Sequence, residues 1–152
     1  MPVGELQPVA LLQGIVRRES LSMLTYVGEA FPWTTARDAE SLARLRQIVV
    51  ANNEAVAALG RYLTKHRQPL TFLGSYPGSF TTINFISLDH VLPKLVASER
   101  GNVAALERDL HALADKDARA EVEKLLAVKK AQLEKLEFLA GSHAKTPAAA
   151  AS

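Results

Sequence analysis

The sequence predicts an all-α protein: a four-helix bundle with a long crossover between helices two and three. Three observations predict it. Four stretches repeat apolar residues at i, i+3, i+4 and i+7, the rhythm of one helix face. The first and last connections between those stretches are short. The middle one is long and apolar.

The first helix is expected from about Leu6 to Ala30, with Val9, Leu12, Ile15, Val16, Met23, Tyr26 and Val27 on one face. Phe31-Pro32 ends it, because the residue before a proline is pushed out of the α region. Trp33 then sits in a tight connection, and Thr35 is the expected N-cap of the second helix, with Asp38 in a capping-box position. That helix carries Leu42, Leu45, Ile48, Val49, Val56, Leu59 and Leu63 and runs to about His66. Alanines 51, 55, 57 and 58 let a neighbour approach closely, whereas Gly60 costs about 1 kcal/mol against alanine.

From Arg67 to Phe80 the rhythm breaks at Gln68-Pro69, Gly74 and Tyr76-Pro77-Gly78, yet Leu70, Phe72, Leu73, Tyr76 and Phe80 need cover. A second helix of about 31 residues is roughly 46 Å long. The roughly 14 residues of 67–80, fully extended, reach about the same distance. The segment is therefore just able to run the length of the bundle, which predicts that helices two and three are parallel.

The third helix should start near Thr81 or Thr82 and place Phe85, Leu88, Leu92, Leu95, Val96, Val103, Leu106, Leu110 and Leu113 on one face. The rhythm continues in phase through Pro93, which predicts a kink or bulge at 89–93 rather than an end. Gly101-Asn102 is a second soft spot. Residues 114–117 form the next turn, with Asp117 as expected N-cap. The fourth helix carries Val122, Leu125, Leu126, Leu133, Leu136 and Leu139 and stops at Gly141. Residues 1–141 then form the bundle domain, and the Ala-rich 142–152 a disordered tail.

Composition narrows the function classes. The 152 residues suffice for one domain with a core. With 18 basic and 16 acidic side chains the net charge is +2, so no basic face argues for nucleic acid. No cysteine is present, hence no thiolate ligand or thiol nucleophile. No apolar run approaches a membrane span, and Met1 to Gln7 lacks the pattern of a signal peptide. A soluble, cytoplasmic protein is expected, and Ala-rich flanks predict a homo-oligomer.

Two positions break the apolar rhythm. Glu99 stands where the third helix calls for Leu or Val, and Glu19 shares a face with Leu12, Ile15 and Tyr26. With Val16-Arg17-Arg18-Glu19-Ser20 on helix one and Val96-Ala97-Ser98-Glu99-Arg100 on helix three, the chain resembles the ferritin-like di-iron carboxylate proteins over about residues 6–141. The resemblance implies a glutamate from each of helices one and three, and a Glu-x-x-His pair from each of helices two and four. Glu19 and Glu99 match the single glutamates. The paired ligands are missing: helix two offers Asn52, Asn53 and Glu54 followed by Ala57, and helix four offers Glu134 and Glu137, with Lys129 and Lys130 at its middle.

Two hard cations need more carboxylates and imidazoles than two glutamates supply. His66, His90, His111 and His143 share no i, i+4 spacing, and His143 falls in the expected tail. The leading expectation is therefore an inward polar cluster of Glu19, Asn52, Asn53, Glu99 and Lys129. Counting helix rise from a turn near Lys116 puts Glu99 opposite about Gln132, within one turn of Lys129. It needs no cofactor, and the function it suggests is self-association or partner binding rather than catalysis. The alternative is an iron-binding member using Glu19, Glu54, Glu99, Glu134 and Glu137. A third reading, an apolar ligand under the crossover, rests on the aromatics at 72, 76 and 80. Arg17-Arg18 and Lys129-Lys130 also read as solvated flanks, Tyr26 and Tyr62 as core, and Asp89-His90 as neighbours facing apart.

Overall fold

The structure is a computed structural model that describes residues 3–30, 32, 34–68 and 74–144; side chains are described from Val9 onwards, apart from residues 84, 85 and 144. The fold is all-α. Its helices are α1 (Val3–Ser20), α2 (Met23–Glu29), α3 (Ala39–Lys65), α4 (Leu88–Ala112) and α5 (Lys116–Ala144), with 3₁₀ segments at Ala36–Asp38 and Gly78–Phe85. No described helix is long and apolar enough to cross a membrane. Phe31, Trp33, Leu70, Phe72, Leu73 and most of the expected tail lie outside the described residues.

The expected first helix is two helices. Ser22 is the N-cap of α2: its hydroxyl accepts from the Thr25 backbone N–H at 3.2 Å, and the Thr25 hydroxyl donates to the Glu19 carbonyl at 2.9 Å. Local side-chain bonds of this kind compete with the helical ladder, and here they interrupt it at Leu21 and Ser22, just after Glu19. Before α3, the Thr35 backbone N–H donates to Asp38 Oδ2 at 2.8 Å, the reach-back half of a capping box. Helix α3 ends in a Schellman arrangement, with Arg67 at φ 60°, Gln68 N–H donating to the Leu63 carbonyl at 2.8 Å and Arg67 N–H to that of Thr64 at 3.0 Å.

The third expected helix starts later than its rhythm implies. Ser87 caps α4, and Phe85 belongs to the 3₁₀ segment before it. Pro93 therefore falls in the second turn, where its missing N–H frees only the Asp89 carbonyl. Asp115, not Asp117, caps α5: its Oδ2 accepts from Ala118 N–H at 2.8 Å. Gly141 does not stop that helix, which continues to Ala144. The buried side chain of His143 holds the last turn against the rest of the fold, and such tertiary contact outweighs the weak helix propensity of glycine.

Two apolar layers fix the helix directions. One gathers Leu24 and Val27 from α2, Leu45 and Ile48 from the start of α3, Leu88 and Leu92 from the start of α4, and Leu136 and Leu139 from the end of α5. The other gathers Leu12 and Ile15, then Leu59 and Leu63, Val103 and Leu106, and Val122 and Leu125. The first halves of α3 and α4 thus share one end, so these helices run parallel, while α5 and the α1–α2 arm run the other way. At the end of the connection Tyr76 packs edge-on to Tyr26 with ring centroids 5.1 Å apart, and Phe80 lies 5.7 Å from Tyr26. Burial first, then a hydrogen bond to Glu29, pushes the Tyr76 hydroxyl up to about 12.

Gly28 allows the close approach of α2 to α3, since a Cβ there would stand 2.5 Å from Val49 Cγ1. Val49 is β-branched and 4% exposed, so it has little room to turn away. Gly28→Ala is expected to destabilise the fold by about 1–3 kcal/mol in urea melts, and adding Val49→Ala should remove most of that overpacking. Equal stability of Gly28→Ala and the native chain would show that the two helices have slack.

Candidate functional site

At the level where the two apolar layers meet, each long arm carries a polar side chain inward. Glu19 lies between Val16 and Leu24, Asn52 between Val49 and Val56, Glu99 between Val96 and Val103, and Lys129 between Leu126 and Leu136. All four are 1% exposed or less. Helical phase explains this: Glu99 lies three residues after Val96 and four before Val103, and Lys129 three after Leu126, which keeps each on its buried stripe.

The Lys129 ammonium is the centre of the cluster. Its Nζ donates to Asn52 Oδ1 at 2.6 Å, lies 3.0 Å from Glu19 Oε2 and contacts Glu99 Oε2. An ammonium has three donors and no acceptor, and here three oxygens from three different helices face it. Asn102, one turn along α4, donates to Glu99 Oε1 at 3.2 Å. Asn52 uses its amide for Asn53 Oδ1 at 3.4 Å, so Asn53 touches the cluster from the exposed side of α3 rather than from inside. Neither Glu19 oxygen receives an aligned hydrogen bond among the described residues.

One ammonium faces two carboxyl groups, so the cluster carries a surplus negative charge whenever both are ionised. Burial raises the Glu19 carboxyl above its ordinary 4.5; the Lys129 ammonium pulls it down, and the Glu99 carboxylate adds to the rise. A proton on Glu19 would remove the surplus, and desolvation, which penalises the charged form, is the largest of these effects.

The alternative metal set is not brought together. Glu54 is exposed and pairs with Arg61 at 2.9 Å, Glu137 pairs with Arg100 at 3.2 Å, and Glu134 is exposed. Phase is the reason: Glu54 stands about 200° around the helix from Asn52, and Glu134 about 140° from Lys129. The flanking basic pairs divide as well. Arg18 bonds Asp109 at 2.8 Å, and Lys130 bonds Glu107 at 3.1 Å, while Lys129 is wholly buried.

A second polar cluster is absent from the sequence reading. Asp38, Asp89 and His143 meet at the end of the fold where α3 and α4 begin and α5 finishes. Sequence reasoning takes Asp38 only as a cap, sets Asp89 aside with His90, and leaves His143 in a tail. His90 instead shares a hydrogen with Ser87, Nδ1 to Oγ 2.9 Å. The available signal was the i−3 relation of His143 to the half-buried Ala140 and i−4 to the buried Leu139, which continues the α5 stripe past Gly141. Searches of family models, of curated proteins and of solved structures found no match to the chain.

Two outcomes are expected. Lys129→Leu strands two buried carboxyl groups and should cost about 3–5 kcal/mol, whereas Lys129→Leu with Glu99→Leu should recover most of the loss; denaturant melts of the cycle measure the coupling. Additive effects would place the pair in a solvated environment. The second outcome concerns pH. Because folded Glu19 keeps a proton that the unfolded chain releases above 4.5, its contribution is full below that pH and is lost as pH rises through the folded value. Glu19→Gln should therefore flatten the decline of stability above pH 4.5, and an unchanged slope would remove Glu19 as its source.

Proposed function

We propose that the chain is a ferritin-like four-helix bundle protein without a complete dimetal site, non-catalytic, and acting by association with a second copy of itself. The observation that carries the first half is the position of Lys129 Nζ between Glu19 and Glu99. In the ferritin-like di-iron proteins, glutamates on the helices corresponding to these hold the metal ions. An ammonium and a dimetal pair cannot share one hole. The hairpin order, with parallel α3 and α4, supports the same reading, and the cytoplasmic location expected from composition is part of it.

Association is supported by the face between α3 and α5. Phe138 is 67% exposed there, beside a groove lined by Ile48, Ala51, Ala131, Gln132 and Leu139. A ring so exposed on a helix whose other large apolar residues are buried or half-buried favours cover by another surface. Arg44 and Lys135 border the same groove as Glu134. A two-fold related copy would set each sign against its opposite, as a self-complementary interface requires.

Light scattering at tens of micromolar should give a mass above the 16.5 kDa monomer. Phe138→Glu should return it to the monomer with its helix content kept, and a monomeric native chain would overturn the association. For the metal-free cluster, ferrous iron should bind the native chain and Glu99→Gln equally; iron lost specifically in Glu99→Gln would restore the metal-binding alternative.

A further inference from the structure

We propose that Asp38, Asp89 and His143 form a binding site for one divalent first-row transition cation, with zinc as the reference ion, which clasps three helix ends. This site is separate from the Lys129 cluster and does not rest on the association reading. His143 Nε2 lies 2.6 Å from Asp89 Oδ1 and 3.3 Å from Asp38 Oδ1. The imidazole is 3% exposed, and its Nε2 has no aligned hydrogen bond among the described residues. The two oxygens stand beside the nitrogen's bonding direction rather than on it. Bonds of about 2.0–2.2 Å from one ion at a tetrahedral angle hold their donors about 3.3–3.6 Å apart; Asp38 Oδ1 already stands at that spacing from Nε2, and the half-exposed Asp89 carboxylate reaches it by backing away from its 2.6 Å contact.

The surroundings are those of a ligand set. Ser41 Oγ is 2.8 Å from His143 Nδ1, which fixes the ring and leaves Nε2 towards the carboxylates, the usual outer-shell support of a metal-bound histidine. Asp38 divides its oxygens: Oδ2 accepts from Thr35, and Oδ1 faces the imidazole. Asp89 accepts from Arg37 through Oδ1 and Oδ2 at 2.8 and 3.0 Å. A carboxylate has about four lone-pair directions, so Oδ1 retains one for an ion. Arg37 offsets one of the two carboxylates, and the other faces the imidazole. One nitrogen and two oxygens suit a borderline cation, and the side chain of Asp89, 44% exposed, leaves an entry path and room for water ligands.

The test is calorimetric titration of Zn²⁺ into the full chain, with Co²⁺ absorption as the spectroscopic partner. One equivalent should bind saturably at micromolar concentration and raise the melting temperature. His143→Ala and Asp89→Asn should each weaken binding at least about a hundredfold, and Ser41→Ala about tenfold. His66→Ala, on an exposed histidine, should change nothing. Circular dichroism checks each variant, and Asp89→Asn, half in solvent, provides the answer if His143→Ala does not fold. Absence of saturable binding up to about 1 mM, or native affinity in both His143→Ala and Asp89→Asn, would overturn the site.

Discussion

The fold depends on keeping one ammonium dry. Lys129 is wholly buried, and taking an unpaired charge of that size out of water costs several kcal/mol. That cost is met only if Glu19, Asn52 and Glu99 arrive from three other helices at the same level. The apolar layers on either side tolerate small shifts of one helix past another, because dispersion is non-directional. The charged layer between them does not. A shift of one helical turn would bring a leucine against Glu99 and leave the lysine without acceptors. The cluster therefore sets the register, and the two apolar layers supply the adhesion.

The break between α1 and α2 belongs to this geometry. Ser22 and Thr25 mark the break that ends the first helix at Ser20, one residue beyond Glu19, and the Glu19 carbonyl is itself tied to the Thr25 hydroxyl. The α2 arm can then lean onto α3 through Gly28 without moving Glu19. A continuous helix from Leu6 to Ala30 would have coupled the position of the carboxylate to the packing of the aromatic cluster at Tyr26. The interruption separates the two requirements.

Much of this was legible in the chain because the physics is periodic. Glu19 and Glu99 stand out as charges where the rhythm calls for leucine, counting helix rise brings Lys129 within a turn of Glu99, and the length of the 67–80 segment bears on the parallel course of α3 and α4. What escaped was not periodic. The choice of Asp115 over Asp117 as cap turns on a single hydrogen bond of about 1 kcal/mol, which neighbouring residues can equally well offer, and Ser87 stands at the start of α4 with no side-chain cap bond to mark it. Asn53 was read as inward with Asn52, although adjacent helical positions face about 100° apart. His143 was hidden by Gly141: a glycine reads as a stop until tertiary contacts beyond it are known. Asp38, Asp89 and His143 come from distant parts of the chain, and no spacing rule links them.

The topology also makes the two halves of the molecule unequal. Helices α4 and α5 are joined by the short turn at 113–115, and between them they own Glu99 and Lys129. That hairpin is electrically balanced as it closes. The α1–α3 half brings Glu19 and Asn52, a carboxyl with no cation of its own. Loop-closure entropy favours the nearby pairing first, so docking of the halves ends with a carboxyl group entering a site already neutral. Burial raises that carboxyl, so the docked arrangement favours its protonated form more than the open one does. Docking of the halves is thereby linked to proton binding, and the acidity of the medium bears on assembly through a residue that no solvent reaches in the finished molecule.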